Sequence, residues 1–180
     1  MKIIINEDNL KNTEIEEVNT KTRAILLNEK GELLIANYGG TYLLPGGKID
    51  HNEKTIDGLI RELKEETGTY YNNSELNYLC TIKYFQKNYP KRTGERQNRL
   101  ITTNYYIGEY KEISLDKIKL TENEQKGNFK LELIPLNELE NTIIENKNNN
   151  PRNIYFQKEL LTVIYFYQKE KTKEINTNKN

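Results

Sequence analysis

The sequence predicts a mixed α/β fold in which one central sheet packs against helices and a further helix closes the chain. The first observation is length, because 180 residues are enough for one domain with a proper core and few for two. The second is the order of patterns, since short strand-like runs alternate with amphipathic helices. The third is a helical pattern near the C-terminus, over residues 154–170.

The first part of the predicted domain is a hairpin followed by a helix. TRAILL (22–27) and ELLIAN (32–37) predict two strands on either side of a turn, and TYLLP (41–45) predicts a third short strand. Residues 55–67 predict a helix that ends at Gly68, because glycine is the residue that commonly follows a helix. The apolar stripe of this helix consists of Ile56, Leu59, Ile60 and Leu63.

The second part of the domain contains further strands. Residues 75–86 and 99–110 predict two strands separated by a polar, basic segment, and FKLELIPL (129–136) predicts another. LNELENTI (136–143) predicts a short helix. The chain is therefore divided into a partly ordered N-terminal segment, a main domain, a linker with the C-terminal helix, and a frayed tail, which span residues 1–17, 18–145, 146–172 and 173–180.

Composition excludes several classes of protein. Lys plus Arg (27) equals Asp plus Glu (27), so no net charge attracts the chain broadly to nucleic acid or to a membrane surface. The longest apolar run, residues 160–167, is far shorter than the ~20 residues of a membrane span. Residues 1–15 do not resemble a signal peptide. The single cysteine, Cys80, excludes an internal disulfide and a cysteine-based zinc site, and its strand-like surroundings indicate a buried packing role. We expect a cytoplasmic protein.

The predicted helix over residues 55–67 carries an unusual group of carboxylates in the stretch RELKEETG. Glu62 lies three and four positions before Glu65 and Glu66, so their side chains are neighbours on one side of the helix and repel one another. Lys64 points elsewhere and does not neutralise them. A solvated acidic face is the alternative explanation. We favour a site for Mg²⁺ or Mn²⁺, because these ions take hard oxygen ligands and few of them from the protein.

The residues upstream strengthen this interpretation. Gly47, then five residues, Glu53, then seven residues, and Arg61-Glu62-Leu63-Lys64-Glu65-Glu66-Thr67-Gly68 resemble the signature box of the Nudix hydrolases. The preceding Tyr42-Leu43-Leu44-Pro45-Gly46-Gly47 resembles the strand and loop that lead into that box. Thr69 departs from the family, which prefers an aliphatic residue there, and we expect only a change in packing. The resemblance covers residues 18–140 and implies an α/β/α sandwich.

The resemblance also implies a role for each residue of the box. The metal ligands would be Glu62, Glu65, Glu66 and the backbone carbonyl of Gly46. Glu62 and Glu65 would serve catalysis, and Arg61 would pair with Glu53 and so tie the loop to the helix. A helical wheel sets Arg61 away from the three carboxylates, which indicates support of the loop rather than phosphate binding. The implied reaction is attack of water on a phosphorus atom of a diphosphate linkage, with Mg²⁺ or Mn²⁺ as cofactor.

A further carboxylate is implied by relatives that draw one from a later loop. Glu122 and Glu124 both precede the strand over residues 129–136 at about the right place. We assign Glu124 as the additional metal ligand, with Glu122 and a merely solvated loop as the alternatives.

The substrate is the least determined part of the prediction. Tyr84 lies sixteen residues after Gly68, and a tyrosine near that distance marks relatives that cleave dinucleoside polyphosphates. We therefore favour nucleoside tri- or polyphosphates, including dinucleoside polyphosphates, over ADP-ribose or a nucleotide sugar. Tyr84 would stack on the base, and the phosphates would be met by Lys83, Arg92 and Arg99. The partner is thus a small-molecule nucleotide, and homodimer formation is left open. The hypothesis of a different class is a Nudix-fold sensor that binds a nucleotide without cleaving it.

Overall fold

The computed structural model describes residues 1–146 and 148–177, and the side chains of residues 123 and 124 lie outside its description. Seven strands form one sheet within this part of the chain. They are β1 (Lys2–Ile5), β2 (Glu17–Leu27), β3 (Glu32–Tyr38), β4 (Thr41–Leu43), β5 (Asn77–Pro90), β6 (Arg96–Glu109) and β7 (Phe129–Pro135). The helices are α1 (Thr55–Thr67), α2 (Glu122–Lys126), α3 (Leu139–Glu145) and α4 (Asn153–Thr177).

The sheet is mixed. Its order is β1-β5-β6-β2-β3-β4, and β7 also pairs with β3. The pairs β1–β5 and β2–β6 are parallel, whereas β5–β6, β2–β3, β3–β4 and β3–β7 are antiparallel. Strand β2 lies near the centre of the sheet and pairs with β6 along its whole length, from Glu17 beside Arg99 to Leu27 beside Glu109.

The sheet separates two apolar cores, because alternate residues of a strand face opposite sides. On one face, Ala24 and Leu26 of β2 pack with Leu59 and Leu63 of α1. On the other face, Ile25 packs with side chains from β5, α3 and α4. Helices therefore cover both faces, and the α/β/α sandwich with a mixed central sheet and a C-terminal helix is confirmed.

The strands are longer than the apolar runs that predicted them. Strand β2 begins at Glu17 rather than at Thr22, because residues 17–21 pair with β6 while their side chains are largely polar. Strands β5 and β6 continue into the basic segment, where Tyr89 pairs with Gln97 and Pro90 with Arg96. Backbone pairing in a hairpin does not require apolar side chains, so the ends of these strands carried no hydrophobic signal.

The two ends of the chain contribute regular structure. Strand β1 lies within the N-terminal segment over residues 1–17 and pairs with β5. Helix α4 extends beyond the predicted residue 170 and continues to Thr177, while residues 178–180 of the expected frayed tail lie outside the described residues. Cys80 is fully buried in the core, which agrees with its expected packing role. Within the described helices, none is both long and apolar enough to cross a bilayer.

Helix α1 has the predicted bounds, and its end is fixed by the segment that follows β6. Gly68 ends the helix in the left-handed region, at φ 68°, and a Cβ there would lie 2.1 Å from the carbonyl oxygen of Ser114. The backbone N–H of Ser114 donates to the Thr67 carbonyl (3.0 Å), and that of Lys119 donates to the Glu65 carbonyl (2.8 Å). The connection between β6 and α2 is therefore bound to the helix end that carries the acidic residues.

Candidate active site

The loop between β4 and α1 lies directly against β2. The backbone N–H of Ala24 donates to the Pro45 carbonyl and that of Thr22 donates to the Gly47 carbonyl, each at 3.0 Å. Gly46 has φ 124°, and a Cβ there would lie 2.3 Å from the Thr22 carbonyl oxygen. This position therefore requires glycine for two reasons, the backbone conformation and the close approach of β2.

The second glycine of the loop makes room for a carboxylate. A Cβ on Gly47 would lie 2.3 Å from Oε2 of Glu62. The Glu62 carboxylate thus sits against the loop backbone, with its side chain only 13% exposed. Burial raises the pKa of Glu62 above its ordinary value, opposed by the hydrogen bond from Arg61. The arrangement places a partly desolvated acid beside the glycine loop.

Arg61 connects the loop to the acidic side of α1. Its guanidinium donates to both oxygens of Glu53, at 3.0 Å each, and to the carbonyl oxygen of Lys48 at 3.1 Å. Nη1 of the same group donates to Glu62 (2.9 Å) and lies 3.4 Å from Glu65. Arg61 is therefore hydrogen-bonded to three carboxylates, although the helical wheel set it away from two of them, Glu62 and Glu65. A wheel gives the direction of Cβ and does not account for the length of an arginine side chain.

Gly58 has a matching role within α1. A Cβ on this helical glycine would lie 2.8 Å from Oε2 of Glu53. The missing side chain therefore lets Glu53 approach the helix, where it receives the two bonds from Arg61 and one from the Asp50 backbone N–H (3.0 Å). The hydrogen bond from Arg61 holds the pKa of Glu53 below its ordinary value.

Glu66 faces inward and fixes the other side of the loop. It is 1% exposed, and its two oxygens accept hydrogen bonds from the Gly46 backbone N–H and the Tyr38 hydroxyl, both at 2.8 Å. Burial raises the pKa of Glu66 to about 7, although these hydrogen bonds and the charge of Arg23 favour the ionised form. Glu66 therefore determines where the Gly46 peptide lies.

Arg23 is a site residue that the sequence reasoning missed. It is 8% exposed on β2, and its Nη1 donates to the carbonyl oxygens of Leu44 and of Gly46, the latter at 3.2 Å. A signal was available, because TKTRAILL places Lys21 and Arg23 at alternate positions of a buried strand. The hydroxyl of Tyr38, which donates to Glu66, was also missed.

The donor set around the loop suits a divalent ion in its chemistry. Glu62, Glu65, Glu66 and the Gly46 carbonyl supply hard oxygen atoms. After burial, the charge of Glu65 further raises the pKa of Glu62, and the charge of Glu62 further raises the pKa of Glu66. No group of three or more acidic, histidine or cysteine side chains among the described residues is already arranged as a metal site. The reason is visible, because Glu62 and Glu65 both turn to Arg61 while Glu66 turns to the Gly46 amide.

The two candidates for the additional carboxylate are Glu122 and Glu124 of helix α2. Glu122 is exposed and pairs with Lys126 at 3.2 Å. The side chain of Glu124 lies outside the described residues. The segment that follows α2 lies against the β3–β4 turn, because a Cβ on Gly39 would lie 3.3 Å from the Gly127 carbonyl oxygen.

The four residues predicted to bind substrate are not brought together. Tyr84 is 6% exposed and packs near the Tyr155 ring of α4, at 6.1 Å between centroids, so its face is not open to a base. Lys83 precedes Tyr84 on β5, so its side chain lies on the face of the sheet opposite to that of Tyr84. Arg92 is exposed in the turn between β5 and β6. Arg99 is buried on the face covered by α4, which is also the face of Arg23.

Comparison with known proteins agrees with this geometry. The NUDIX domain profile matches residues 19–158, so the chain belongs to the Nudix family and is a Nudix pyrophosphohydrolase. Nudix hydrolases act on nucleoside diphosphate derivatives and generally use divalent metal ions. A search of curated proteins finds no match.

Solved structures show the same fold at low sequence identity. The MutT protein from Bacillus halodurans is 18% identical, with a TM-score of 0.51 over 77% of this chain and 80% of that one. The MutT protein from Methanosarcina mazei Go1 is 18% identical, with a TM-score of 0.50 over 81% and 97%. The ORF135 protein of E. coli is 16% identical, with a TM-score of 0.50 over 86% and 95%.

Proposed function

We propose that this chain hydrolyses a diphosphate linkage in nucleoside tri- or polyphosphates, including dinucleoside polyphosphates, with Mg²⁺ or Mn²⁺. The observation that carries the proposal is the position of Glu62. Its carboxylate is partly desolvated, lies against the Gly47 backbone and is oriented by Arg61. A carboxylate held in this way can accept the proton of an attacking water.

Other residues of the chain would bind the metal ion and orient Glu62. Glu62, Glu65, Glu66 and the Gly46 carbonyl would hold the ion, with Glu124 as the additional ligand. The bound ion supplies Lewis-acid stabilisation of the phosphate oxygens and lowers the pKa of water. Arg61 keeps Glu53, the Lys48 carbonyl and Glu62 in one arrangement and so orients the acid. The water oxygen bonds to phosphorus, the bridging oxygen leaves with its electron pair, and the proton passes to Glu62.

Polyphosphate substrates are favoured by the charge of the sheet face beside the loop. Arg23 reaches the Gly46 carbonyl, and Lys21 and Arg99 lie further along the same face. A phosphate chain that begins at the Gly46 loop would meet these cations where the contact between this face and α4 opens. Tyr84 no longer contributes to this argument, because its ring is packed in the core.

The test is a comparison of substrates under one set of conditions. We would measure kcat/KM for a diadenosine polyphosphate, nucleoside triphosphates, ADP-ribose and a nucleotide sugar with Mg²⁺, and separate the products by chromatography. We expect the nucleoside tri- and polyphosphates to have the highest kcat/KM. A tenfold or larger advantage of ADP-ribose would reverse the ranking, and tight nucleotide binding without turnover of any compound would show a sensor.

A further inference from the structure

The sheet face that leads away from the glycine loop carries cationic side chains that form no ion pair with a carboxylate among the described residues. Lys21, Arg23 and Arg99 all face α4, and no carboxylate among the described residues lies within 4.0 Å of their nitrogen atoms. Arg23 donates to two backbone carbonyls, and Arg99 donates to Gln86 at 2.5 Å and stacks on Tyr89. The Lys21 ammonium makes a cation–π contact with the Phe156 ring, whose centroid lies 5.8 Å from Nζ.

Two carboxylates act on Lys21 from a distance, and each is engaged elsewhere. Glu159 of α4 accepts hydrogen bonds from the hydroxyls of Thr103 (2.5 Å) and Tyr105 (2.7 Å). Glu17 of β2 accepts from the side-chain amides of Asn19 and Gln97. Burial and the neighbouring Arg23 lower the pKa of Lys21 to about 8, so the group is still mainly charged at neutral pH. A largely buried cation without an ion pair is costly unless an anion meets it.

The position of Lys21 relates it to the proposed reaction. Lys21 and Arg23 are two residues apart on β2, which at the rise of a strand is about 7 Å. Arg23 contacts the Gly46 carbonyl, and the Lys21 backbone bridges to Lys48 of the same loop. Lys21 therefore lies beside the glycine loop, on the face of the sheet away from α1.

The space beside Lys21 is a narrow cleft between β4 and α4. Its walls include Lys21, Arg23, Glu159 and the Phe156 ring, and it encloses about 10 Å³, room for about one water molecule. Phe156 is only partly buried, so it is the wall that can move outward. A larger group would enter this cleft by displacing the Phe156 ring.

We propose that Lys21 binds a phosphate group of the substrate beyond the cleaved diphosphate, and so selects triphosphates and longer chains over ADP-ribose. The inference rests on the proposed function for its role in specificity. The anion site itself can be tested without catalysis. ADP-ribose has no phosphate beyond its diphosphate, which gives the selection a chemical basis.

The first experiment measures binding alone. The full chain in EDTA at pH 7 is titrated with inorganic tripolyphosphate in a calorimeter. Lys21→Met should weaken binding by about tenfold or more, because methionine has a similar length to lysine but carries no charge and no hydrogen-bond donor. Lys21→Arg should retain binding, and Lys30→Met, an exposed lysine in the β2–β3 turn, should match the wild type. Equal binding by Lys21→Met and the wild type, or no binding by the wild type, would overturn the proposal.

The second experiment measures selection. For Lys21→Met with Mg²⁺, KM for a nucleoside triphosphate should rise about tenfold or more while kcat and the KM for ADP-ribose change little. A parallel loss with both compounds would show that Lys21 only supports the fold. If no compound is hydrolysed, the proposed function fails, whereas the tripolyphosphate titration still decides whether the anion site exists. Thermal unfolding of each variant identifies one that does not fold, and in that case Lys21→Arg decides.

Discussion

The Glu62 carboxylate occupies the space beside Gly47 that any other side chain would need, since a Cβ there would come within 2.3 Å of Oε2. Gly47→Ala should therefore destabilise the chain by about 1–3 kcal/mol, because overpacking forces side chains or backbone to shift. Thermal unfolding of the metal-free chain measures this. In a Glu62→Ala background the same change should cost much less. An equal cost in both backgrounds would show that the strain comes from the loop backbone instead.

Loss of the Glu62 charge should stop turnover without unfolding the protein. Glu62→Gln keeps the shape of the side chain and should lower kcat by about 10²–10⁴ with Mg²⁺. Chelation of the metal should abolish activity of the wild type. Glu140→Gln, which removes an exposed acid on α3, is the matched control and should keep full activity. Retention of more than about a third of the wild-type rate by Glu62→Gln would contradict its role in proton transfer.

Removal of Arg61 should act through the carboxylates that it orients. Arg61→Ala should weaken the apparent Mg²⁺ affinity by about tenfold or more and lower kcat, because residues that orient metal ligands affect affinity by such factors. Arg61→Lys should recover only part of the loss, since lysine cannot donate to both oxygens of Glu53 in a fixed geometry. The measurement is activity as a function of Mg²⁺ concentration. A rise in nucleotide KM alone would instead place Arg61 on the substrate.

The Glu53–Arg61 pair should make stability depend on pH in the acidic range. Arg61 holds the pKa of Glu53 below its ordinary 4.5, so the folded chain binds the proton less readily than the unfolded chain. The contribution is thus present above the unfolded pKa and is lost as the pH falls through the folded value. Melting temperatures of the wild type and Glu53→Gln should differ at pH 7, and the difference should shrink as the pH falls below the ordinary pKa of 4.5. A difference that stays constant as the acid range is titrated would mean that charge is not the cause.

Features that depend on residues close in sequence were predictable. Helix α1 has the predicted bounds because its apolar stripe and Gly68 lie within one continuous stretch. The glycine loop and the helix are likewise adjacent, and the resemblance to the Nudix box implied that Glu53 and Arg61 would meet. The structure contains this pair, while the metal-binding roles of the acids stay predictions.

Features that depend on distant residues were not predictable in the same way. Arg23 joins the site only because the loop folds back over β2, twenty-three residues from the Gly46 carbonyl that it contacts. The proposed substrate residues failed for a different reason, since adjacent positions of a strand face opposite sides. Lys83 and Tyr84 could not both face one ligand from β5, whatever the substrate.

The hydrogen bonds between the end of α1 and the segment after β6 have a consequence for engineering. Ser114 and Lys119 hold that segment to the carbonyls of Thr67 and Glu65, and helix α2 with Glu122 begins soon afterwards. Residues 120–128 can therefore be exchanged for segments of other lengths and charges, with the hydrogen bonds of Ser114 and Lys119 left in place. Exchanges that include residues 114–119 would remove the backbone hydrogen-bond partners of the end of α1, so the positions of this segment and of the helix would be lost together.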